Sequence, residues 1–199
     1  MVGESLLPLE AAEIIYEKPA TGVVQEISFG LDRGNTLWVR FHDKGDVVGW
    51  IGKFACGFSP TMRVTKAAEP DRFLVLAGGA AYLVDATRRT VLNQYVATYA
   101  EDIAFDPKKN QFIAGDVRLR IVENGREIWT SRRISVEGIY NMKVTDRVLS
   151  GIAVVGTGGE EEPFAFDLDK REFLRGPDFS SWDVPSEPKK PKAWWKFWQ

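Results

Sequence analysis

The chain has 199 residues, of which 44% are hydrophobic and 27% are charged, so it carries enough apolar side chains to form a core and is not expected to be disordered over most of its length. Its 26 basic and 28 acidic residues give a formal net charge of −2 and are spread along the sequence, which argues against a basic face for nucleic acid. No apolar stretch approaches the roughly 20 residues that a membrane-spanning helix needs.

The N-terminal segment, 1–21, carries acidic residues where a secretion signal would be basic and then apolar. Cys56 is the single cysteine and cannot form an internal disulfide, so we predict a cytoplasmic protein. Within the segment, PLEAAEIIYEK (8–18) fits a short helix because proline and Glu10 stand near its start. EIIYE fits a strand equally well, and both alternatives stay open.

Residues 22–176 alternate short apolar runs with Gly, Asp, Asn and Pro, which is typical of antiparallel strands joined by turns. Two stretches of this region recur: TMRVTK (61–66) and NMKVTD (141–146) share Met, a basic residue, Val and Thr. This similarity indicates that the region contains a structural repeat.

A second pair of similar stretches supports the repeat. IAFDPKKNQFIAG (103–115) lies between the first two and resembles ISFGLDRGNTLWV (27–39). We therefore predict four repeats of about 40 residues, in which the equivalent positions are Ile27, Met62, Ile103 and Met142.

Each repeat also contains a predicted hairpin in which an acidic residue and a few polar residues join two strands. The strongest signal is Asn124-Gly125, because a type I′ turn needs positive φ at both central residues. The acidic residues are interpreted as turn formers, since a carboxylate accepts hydrogen bonds from turn amides. They are Asp43, Asp85, Glu123 and Asp167.

A unit of about 40 residues with up to four short strands cannot bury both faces of its sheet, so it must stack on neighbouring copies. In its period and in hairpins such as FDLDKREFL, the repeat resembles the blades of β-propeller proteins of the WD-repeat and quinoprotein types, although it lacks the Gly-His and Trp-Asp dipeptides of true WD repeats. The resemblance implies an all-β, β-propeller-like fold with about four repeats. It would close as a ring with EIIYE as the closing strand, or form an open arc that dimerises; a β-sandwich of antiparallel meanders is the alternative.

Few residues suggest a catalytic or metal-binding role. His42 is the only histidine, so a Ser-His-Asp or Cys-His arrangement would have to be built on it, and a usual zinc site lacks ligands. We interpret His42 as a packed residue at a strand end and Cys56 as a buried small hydrophobe. GGEEEP (158–163) is interpreted as a hairpin loop rather than a calcium site, because its spacing matches no known loop. We predict no catalytic residue, no metal and no cofactor.

Carboxylates leave one enzymatic alternative open. Glu101, Asp102, Asp106 and Asp146 flank the strands predicted to be innermost, and two carboxylates at a suitable distance are enough for glycoside hydrolysis. Asp106 and Asp146 are also explained as turn formers. A carboxylate- or metal-dependent hydrolase or lyase is therefore kept as an alternative function.

The C-terminal segment, 177–199, changes character: strand alternation stops, prolines recur, and the last acidic residue is Glu187. Such a Pro/Lys linker stays extended. It leads to an aromatic, basic tail that we predict to be an interaction site for another protein, for the body of this protein, or for a membrane interface. The predicted interaction residues are Lys192, Trp194, Trp195, Lys196, Phe197 and Trp198.

The sequence thus predicts three parts: an N-terminal segment at 1–21, a β-repeat domain at 22–176, and the linker with its aromatic tail at 177–199. We predict a non-catalytic protein-interaction domain whose partner is another protein or a second copy. Beside the hydrolase or lyase, a peripheral membrane protein anchored by the tail is the other alternative.

Overall fold

The computed structural model describes residues 12–17, 22, 24–31, 34–42, 49–67, 69, 71–96 and 100–178. The described residues form sixteen β-strands in four four-stranded sheets. The prediction of an all-β fold is confirmed.

The first sheet is built from β1 (Ala12–Ile15), β2 (Gln25–Phe29), β3 (Thr36–Phe41) and β4 (Trp50–Ala55). Its spatial order is β1-β3-β4-β2, with β2 parallel to β4 and the other pairs antiparallel. The segment whose helix or strand character the sequence left open therefore contributes a strand to this sheet.

The other three sheets are antiparallel, and each takes four consecutive strands in chain order. The second sheet has β5 (Met62–Lys66), β6 (Arg72–Ala77), β7 (Ala80–Asp85) and β8 (Thr90–Val96). The third has β9 (Asp102–Asp106), β10 (Gln111–Gly115), β11 (Arg118–Glu123) and β12 (Arg126–Arg133). The fourth has β13 (Ile139–Thr145), β14 (Val148–Val154), β15 (Glu161–Asp167) and β16 (Glu172–Arg175).

The sheets stack in series through three buried hydrophobic clusters. One joins the first sheet to the second, one the second to the third, and one the third to the fourth. Strand β6 contributes to two of these clusters because its side chains alternate between the two faces of the sheet. Phe73 and Val75 belong to the cluster with the first sheet, whereas Leu74 and Leu76 belong to the cluster with the third. A strand buried on both faces is a continuous apolar run, as FLVLA (73–77) is after Arg72.

This series of stacked four-stranded sheets is the predicted β-propeller-like arrangement, and that prediction is confirmed. A β-sandwich would place two sheets face to face, whereas four sheets with three interfaces are found. In the described part of the chain, none of the three clusters joins the fourth sheet to the first.

Aromatic side chains with polar tips hold the first interface together. The indole Nε1 of Trp50 donates to the carbonyl oxygen of Ala86 at 3.0 Å, and the hydroxyl of Tyr82 donates to the carbonyl oxygen of Ala55 at 2.8 Å. Phe41 stacks on Trp50 with 4.4 Å between ring centroids. The polar atoms of buried Trp and Tyr are thereby satisfied across the two sheets.

The predicted repeat equivalence is confirmed for the strand at three of four positions and for the packing at two of them, because Met62 is 46% exposed. Met62, Ile103 and Met142 all lie on the first strand of their sheet. Ile103 and Met142 pack in the clusters that join their sheets to the preceding ones, and Met62 lines a surface cavity together with Trp38 of the first sheet.

The fourth predicted position, Ile27, is wrong as an equivalent. It lies on β2, at the far edge of the first sheet, and the edge held by first strands elsewhere is taken by β1. The parallel pairing with β4 is stabilised by Phe29, which stacks on Phe54 with 5.1 Å between centroids, and by Glu26, 3.4 Å from the Nζ of Lys53. These partners lie far along the chain, so local similarity gives no sign of them.

The four predicted hairpins correspond to β3–β4, β7–β8, β11–β12 and β15–β16. Asn124 and Gly125 have φ angles of 49° and 74°, as the type I′ prediction requires. Oδ1 of Asp85 and of Asp167 accepts turn amides at 2.8 to 2.9 Å.

Two acidic hairpin residues remain. The expected turn role is wrong for Glu123, whose Oε1 instead accepts the side-chain amide of Gln111 at 3.1 Å across the β10–β11 pair. Asp43 lies outside the described residues.

Candidate functional site

The first strands of the second, third and fourth sheets, β5, β9 and β13, together enclose a cleft of about 460 Å³. We call it the first-strand cleft. Its walls are mainly apolar, with Leu74, Ile103, Phe105, Met142 and Val144. Its polar lining residues are Arg63, Thr65, Lys66, Asn141 and Lys143.

A buried carboxylate, Asp102, fixes the strands around the cleft. Arg63 on β5 donates to it through Nη2 at 2.6 Å and through Nη1 at 3.3 Å. Its Oδ1 also accepts the amide of Ile103 at 2.7 Å, and its Oδ2 accepts the amide of Met142 at 2.8 Å. One side chain of the third sheet thus bonds to the second and the fourth sheet at once.

The bond to Met142 depends on an irregularity in β13. The pairing of β13 with β14 shifts register between Tyr140 and Lys143, and Asn141 there has a φ of 56°. A bulge leaves residues without a ladder partner and redirects the strand. The amide of Met142 is consequently free to donate to Asp102, and Asn141 and Lys143 are both exposed at the cleft.

The cleft is cationic. Lys66 and Lys143 are exposed on its rim, and neither forms an ion pair with a described carboxylate. Arg63 adds a guanidinium, but its charge is matched by Asp102. Among the lining residues of the described chain there is no Asp or Glu. An anionic ligand with an apolar part is therefore the chemistry that the cleft complements.

A second buried carboxylate, Asp106, ends β9 and connects the third sheet to the fourth. The guanidinium of Arg147 donates to Asp106, and it also binds Asp169 through Nη2 at 2.9 Å and Nε at 3.2 Å. Lys109 lies 2.9 Å from the same Asp169 carboxylate. Hydrogen bonds from Arg147 and Lys109 hold the pKa of Asp169 far below its usual range.

Three of the four carboxylates proposed for a hydrolase have hydrogen-bonded partners. Asp102 and Asp106 are bonded to arginines, and Glu101 accepts the hydroxyl of Ser59 at 3.4 Å. The turn roles predicted for Asp106 and Asp146 are confirmed: Asp106 accepts the amide of Lys108 at 3.1 Å, and Asp146, with φ 47°, stands in the β13–β14 turn. None of these four lines the first-strand cleft.

The remaining candidates behave as structural residues. Nε2 of His42, which follows β3, lies 3.5 Å from Glu13. Cys56 is half-buried against the first cluster, and burial raises the pKa of its thiol. Residues 155–160 form the turn of the β14–β15 hairpin, where the amide of Val155 donates to the carbonyl oxygen of Glu160 at 2.7 Å, whereas 161–163 of the predicted loop lie on β15.

The described ranges show no metal-binding cluster and no membrane-spanning helix. They contain no grouping of three or more His, Cys, Asp or Glu residues that could hold a metal ion. No helix in the same ranges is long and apolar enough to cross a membrane. The predicted interaction residues lie outside the described residues, so that prediction stays a prediction: Lys192, Trp194, Trp195, Lys196, Phe197 and Trp198.

Sequence reasoning missed the cleft, although a signal for it was present. The recurrence that revealed the repeat places a basic residue after each methionine, Arg63 after Met62 and Lys143 after Met142. Both basic residues line the cleft. They line the same cleft because both lie on first strands of stacked sheets.

The stacked sheets define an all-β repeat protein of the β-propeller-like class. No protein-family model and no curated protein matches the chain. Among solved structures, it is similar to BamB from Moraxella catarrhalis, with 16% identity, a TM-score of 0.46, and coverage of 70% of this chain and 46% of that one. It is also similar to the Pan2 WD40 domain of Neurospora crassa, with 10% identity, a TM-score of 0.47, and coverage of 73% and 49%. The matched part of each solved structure is thus about half its length.

Proposed function

We propose that this chain is a non-catalytic protein-interaction domain that binds an acidic, partly apolar segment of another protein in the first-strand cleft. The observation that carries the proposal is the combination of apolar walls with Lys66 and Lys143 on the rim and no lining carboxylate among the described residues.

The size of the cleft suits side chains of a bound segment. Its volume of about 460 Å³ lies within the range of sites that enclose small ligands or a few side chains. Apolar side chains of the segment would contact Phe105 and Val144, both partly exposed, and Met142 behind them. Removing this apolar surface from water supplies the main favourable free energy of binding.

The two lysines make binding selective for acidic partners and increase the rate of association. Exposed ion pairs add only about 0.2 to 1 kcal/mol each, because both charges remain hydrated. Complementary charge nevertheless accelerates encounter and disfavours basic partners. Acidic segments should therefore bind faster and more tightly than basic segments of the same apolar content.

A defined peptide tests the proposal. The probe is a short fluorescein-labelled peptide in which glutamate alternates with leucine, and its control has lysine in place of glutamate. Fluorescence anisotropy with the full chain should show binding of the acidic peptide that weakens as salt concentration rises, and at least about tenfold weaker binding of the basic one.

Charge reversal at the rim identifies the site. Lys66→Glu combined with Lys143→Glu should weaken binding of the acidic peptide by about tenfold, since two attractions become repulsions. The matched control is Arg126→Glu with Lys170→Glu, which changes net charge equally at exposed positions on the outer hairpins. Equal loss in both double variants, or none in the rim variant, would exclude the cleft as the binding site.

A further inference from the structure

The edges of the sheets differ in how well they are protected against an added strand. In the second, third and fourth sheets the edge strands are β5, β8, β9, β12, β13 and β16. The pairing of β8, β12, β13 and β16 with their neighbours shifts register, and such bulges turn an edge away from further pairing. β5 and β9 pair without a shift, so they are the regular edges of these three sheets.

Of these two regular edges, β9 is already engaged. The carbonyl oxygen of Ile103 accepts Nη2 of Arg63 from the second sheet at 3.2 Å. Four of the five residues of β9 are buried, whereas three of the five residues of β5 are exposed. β5 is thus the regular edge that remains accessible.

The hydrogen bonds at the two ends of β5 show which backbone groups face its edge. The amide of Gly78 donates to the carbonyl oxygen of Thr61 at 2.9 Å, and the amide of Ala67 donates to the carbonyl oxygen of Arg72 at 2.8 Å. Along an antiparallel strand, residues bonded to the neighbour alternate with residues whose backbone groups point away from it. Because Thr61 and Ala67 are six positions apart and the register between them is unbroken, every second residue between them also bonds to β6.

Arg63 and Thr65 are therefore the residues of β5 that bond to β6. The N–H and C=O groups of Val64 and Lys66 point to the free edge, where no group of the described residues bonds to them. This edge adjoins the first-strand cleft, because Arg63, Thr65 and Lys66 line that cleft. Free backbone groups of an edge strand are a template for pairing with another strand.

We propose that the acidic, partly apolar segment bound in the first-strand cleft is extended and adds to the second sheet as a fifth strand along β5. Its backbone hydrogen-bonds to Val64 and Lys66. This inference rests on the function proposed above and specifies how the partner is held. In strand addition of this kind, main-chain hydrogen bonds supply affinity and alternate side chains supply specificity.

The walls and charges of the cleft favour a segment in which apolar and acidic residues alternate. Side chains of a strand point to opposite faces in turn, so one set contacts the apolar wall of the cleft at Leu74 and Ile103. Lys66 is exposed at the end of β5, so an acidic residue of the added strand beside it forms a favourable cross-strand pair. A basic segment would place like charges there.

Amide hydrogen exchange of the full chain, followed by NMR, tests strand addition with the glutamate–leucine peptide. In the free chain, the amides of Val64 and Lys66 should exchange faster than those of Arg63 and Thr65, which bond to β6. Saturating peptide should slow exchange at Val64 and Lys66 by at least about tenfold. Arg63 and Thr65 are the internal control and should change by a smaller factor, because their bonds to β6 are the same in both states.

Backbone methylation of the peptide tests the same hydrogen bonds from the ligand. Successive N–H groups of a strand point to opposite edges, so methylation at every glutamate and methylation at every leucine block different edges. One of these two peptides should bind at least about tenfold more weakly than the parent, and the other should stay within about threefold. The two peptides have equal charge, so each is the control for the other. Equal affinities for the two would overturn strand addition.

Val64→Pro removes an amide from the edge of β5, and proline is tolerated on an edge strand where its nitrogen faces away from the sheet. This variant should bind the peptide at least about tenfold more weakly. The matched control is Val64→Ala, which reduces packing on the first cluster but keeps the amide, and it should bind normally. Equal binding by the two variants would contradict the proposal. If Val64→Pro does not fold, the exchange measurement decides, because it uses the unchanged chain.

Failure of this inference differs from failure of the proposed function. A peptide that binds without protecting the amides of Val64 and Lys66 overturns strand addition and leaves the cleft as the binding site. A peptide that does not bind at all overturns both. Protection of these two amides in the free chain that is lost on dilution would show that a second copy pairs with β5, which also overturns the proposal.

Discussion

Arg63 of β5 binds the buried carboxylate of Asp102 on β9 through both terminal guanidinium nitrogens, with 2.6 Å between Nη2 and Oδ1. The same carboxylate accepts the amide of Met142 on β13, so a single acidic side chain sets the positions of the three first strands. A buried charge is stable only when it is paired and hydrogen-bonded, and Asp102 has both kinds of partner.

Asp102→Ala should therefore lower the free energy of unfolding by about 3 kcal/mol, because it leaves the Met142 and Ile103 amides without this acceptor and removes the counter-charge of Arg63. Arg63→Met should also destabilise, and the double variant should lose less than the sum of the two. Urea denaturation measures all three. A change of less than about 0.5 kcal/mol for Asp102→Ala would mean that the carboxylate does not organise the cleft.

The indole of Trp50 gives a second test, at the interface of the first two sheets. Trp50→Phe removes its hydrogen bond and leaves the buried Ala86 carbonyl oxygen unsatisfied, so stability should fall by about 1 to 3 kcal/mol. Trp129→Phe is the control, because the Trp129 indole has no hydrogen-bond partner within the described residues but packs on Phe166. Equal losses from the two substitutions would show that packing alone, and not the hydrogen bond, holds the interface.

Alkaline pH should destabilise the protein through Tyr82. Burial, together with the neighbouring Cys56, raises the pKa of its phenol to about 12. The folded state therefore holds this proton more tightly than the unfolded state, whose tyrosines titrate near 10. Its contribution to stability is complete below about pH 10 and is lost as pH rises toward 12.

Denaturation curves between these two pH values measure this effect. The Tyr82→Phe variant lacks the ionisable group and should show a flatter decline of stability across the same interval. A decline as steep as that of the wild-type chain would assign the pH dependence to other groups.

The hairpin turn at Asn124-Gly125 offers a test of backbone conformation. Gly125 has a φ of 74°, and nothing lies closer to an added Cβ than the carbonyl oxygen of Gln94 at 3.9 Å. Gly125→Ala should thus cost about 1 kcal/mol from backbone strain alone. Asn124→Gly should be nearly neutral at the same turn. Thermal denaturation that ranks the two variants in the reverse order would contradict the type I′ assignment.

The parts of the fold that the sequence predicted are those with local causes. Asn124-Gly125 and Asp167 specify their hairpins through neighbouring backbone atoms, so their turns can be predicted from the local sequence alone. Met62, Ile103 and Met142 are equivalent because each occupies the same strand of a stacked repeat. The assignment of Ile27 as an equivalent position was wrong because its strand pairs in parallel with β4, which begins more than 20 residues later in the sequence.

The candidate site was less predictable, for a similar reason. Asp102 was considered only as a potential catalytic acid, since nothing local reveals that Arg63, 39 positions earlier, neutralises it. Lys66 and Lys143 are ordinary exposed lysines in the sequence and become a site only where their strands converge. The bulge at Asn141 has no local signature either, because its extra residue is accommodated by a bond to another sheet.

The most direct test of the binding proposal is a methyl NMR titration of the full chain with the glutamate–leucine peptide. The account predicts shift changes for the methyl groups of Ile103, Met142 and Val144, which line the cleft, and none for Leu92 and Ile128 on the outer strands of the second and third sheets. Changes confined to the outer strands, or no change at saturating peptide, would contradict it.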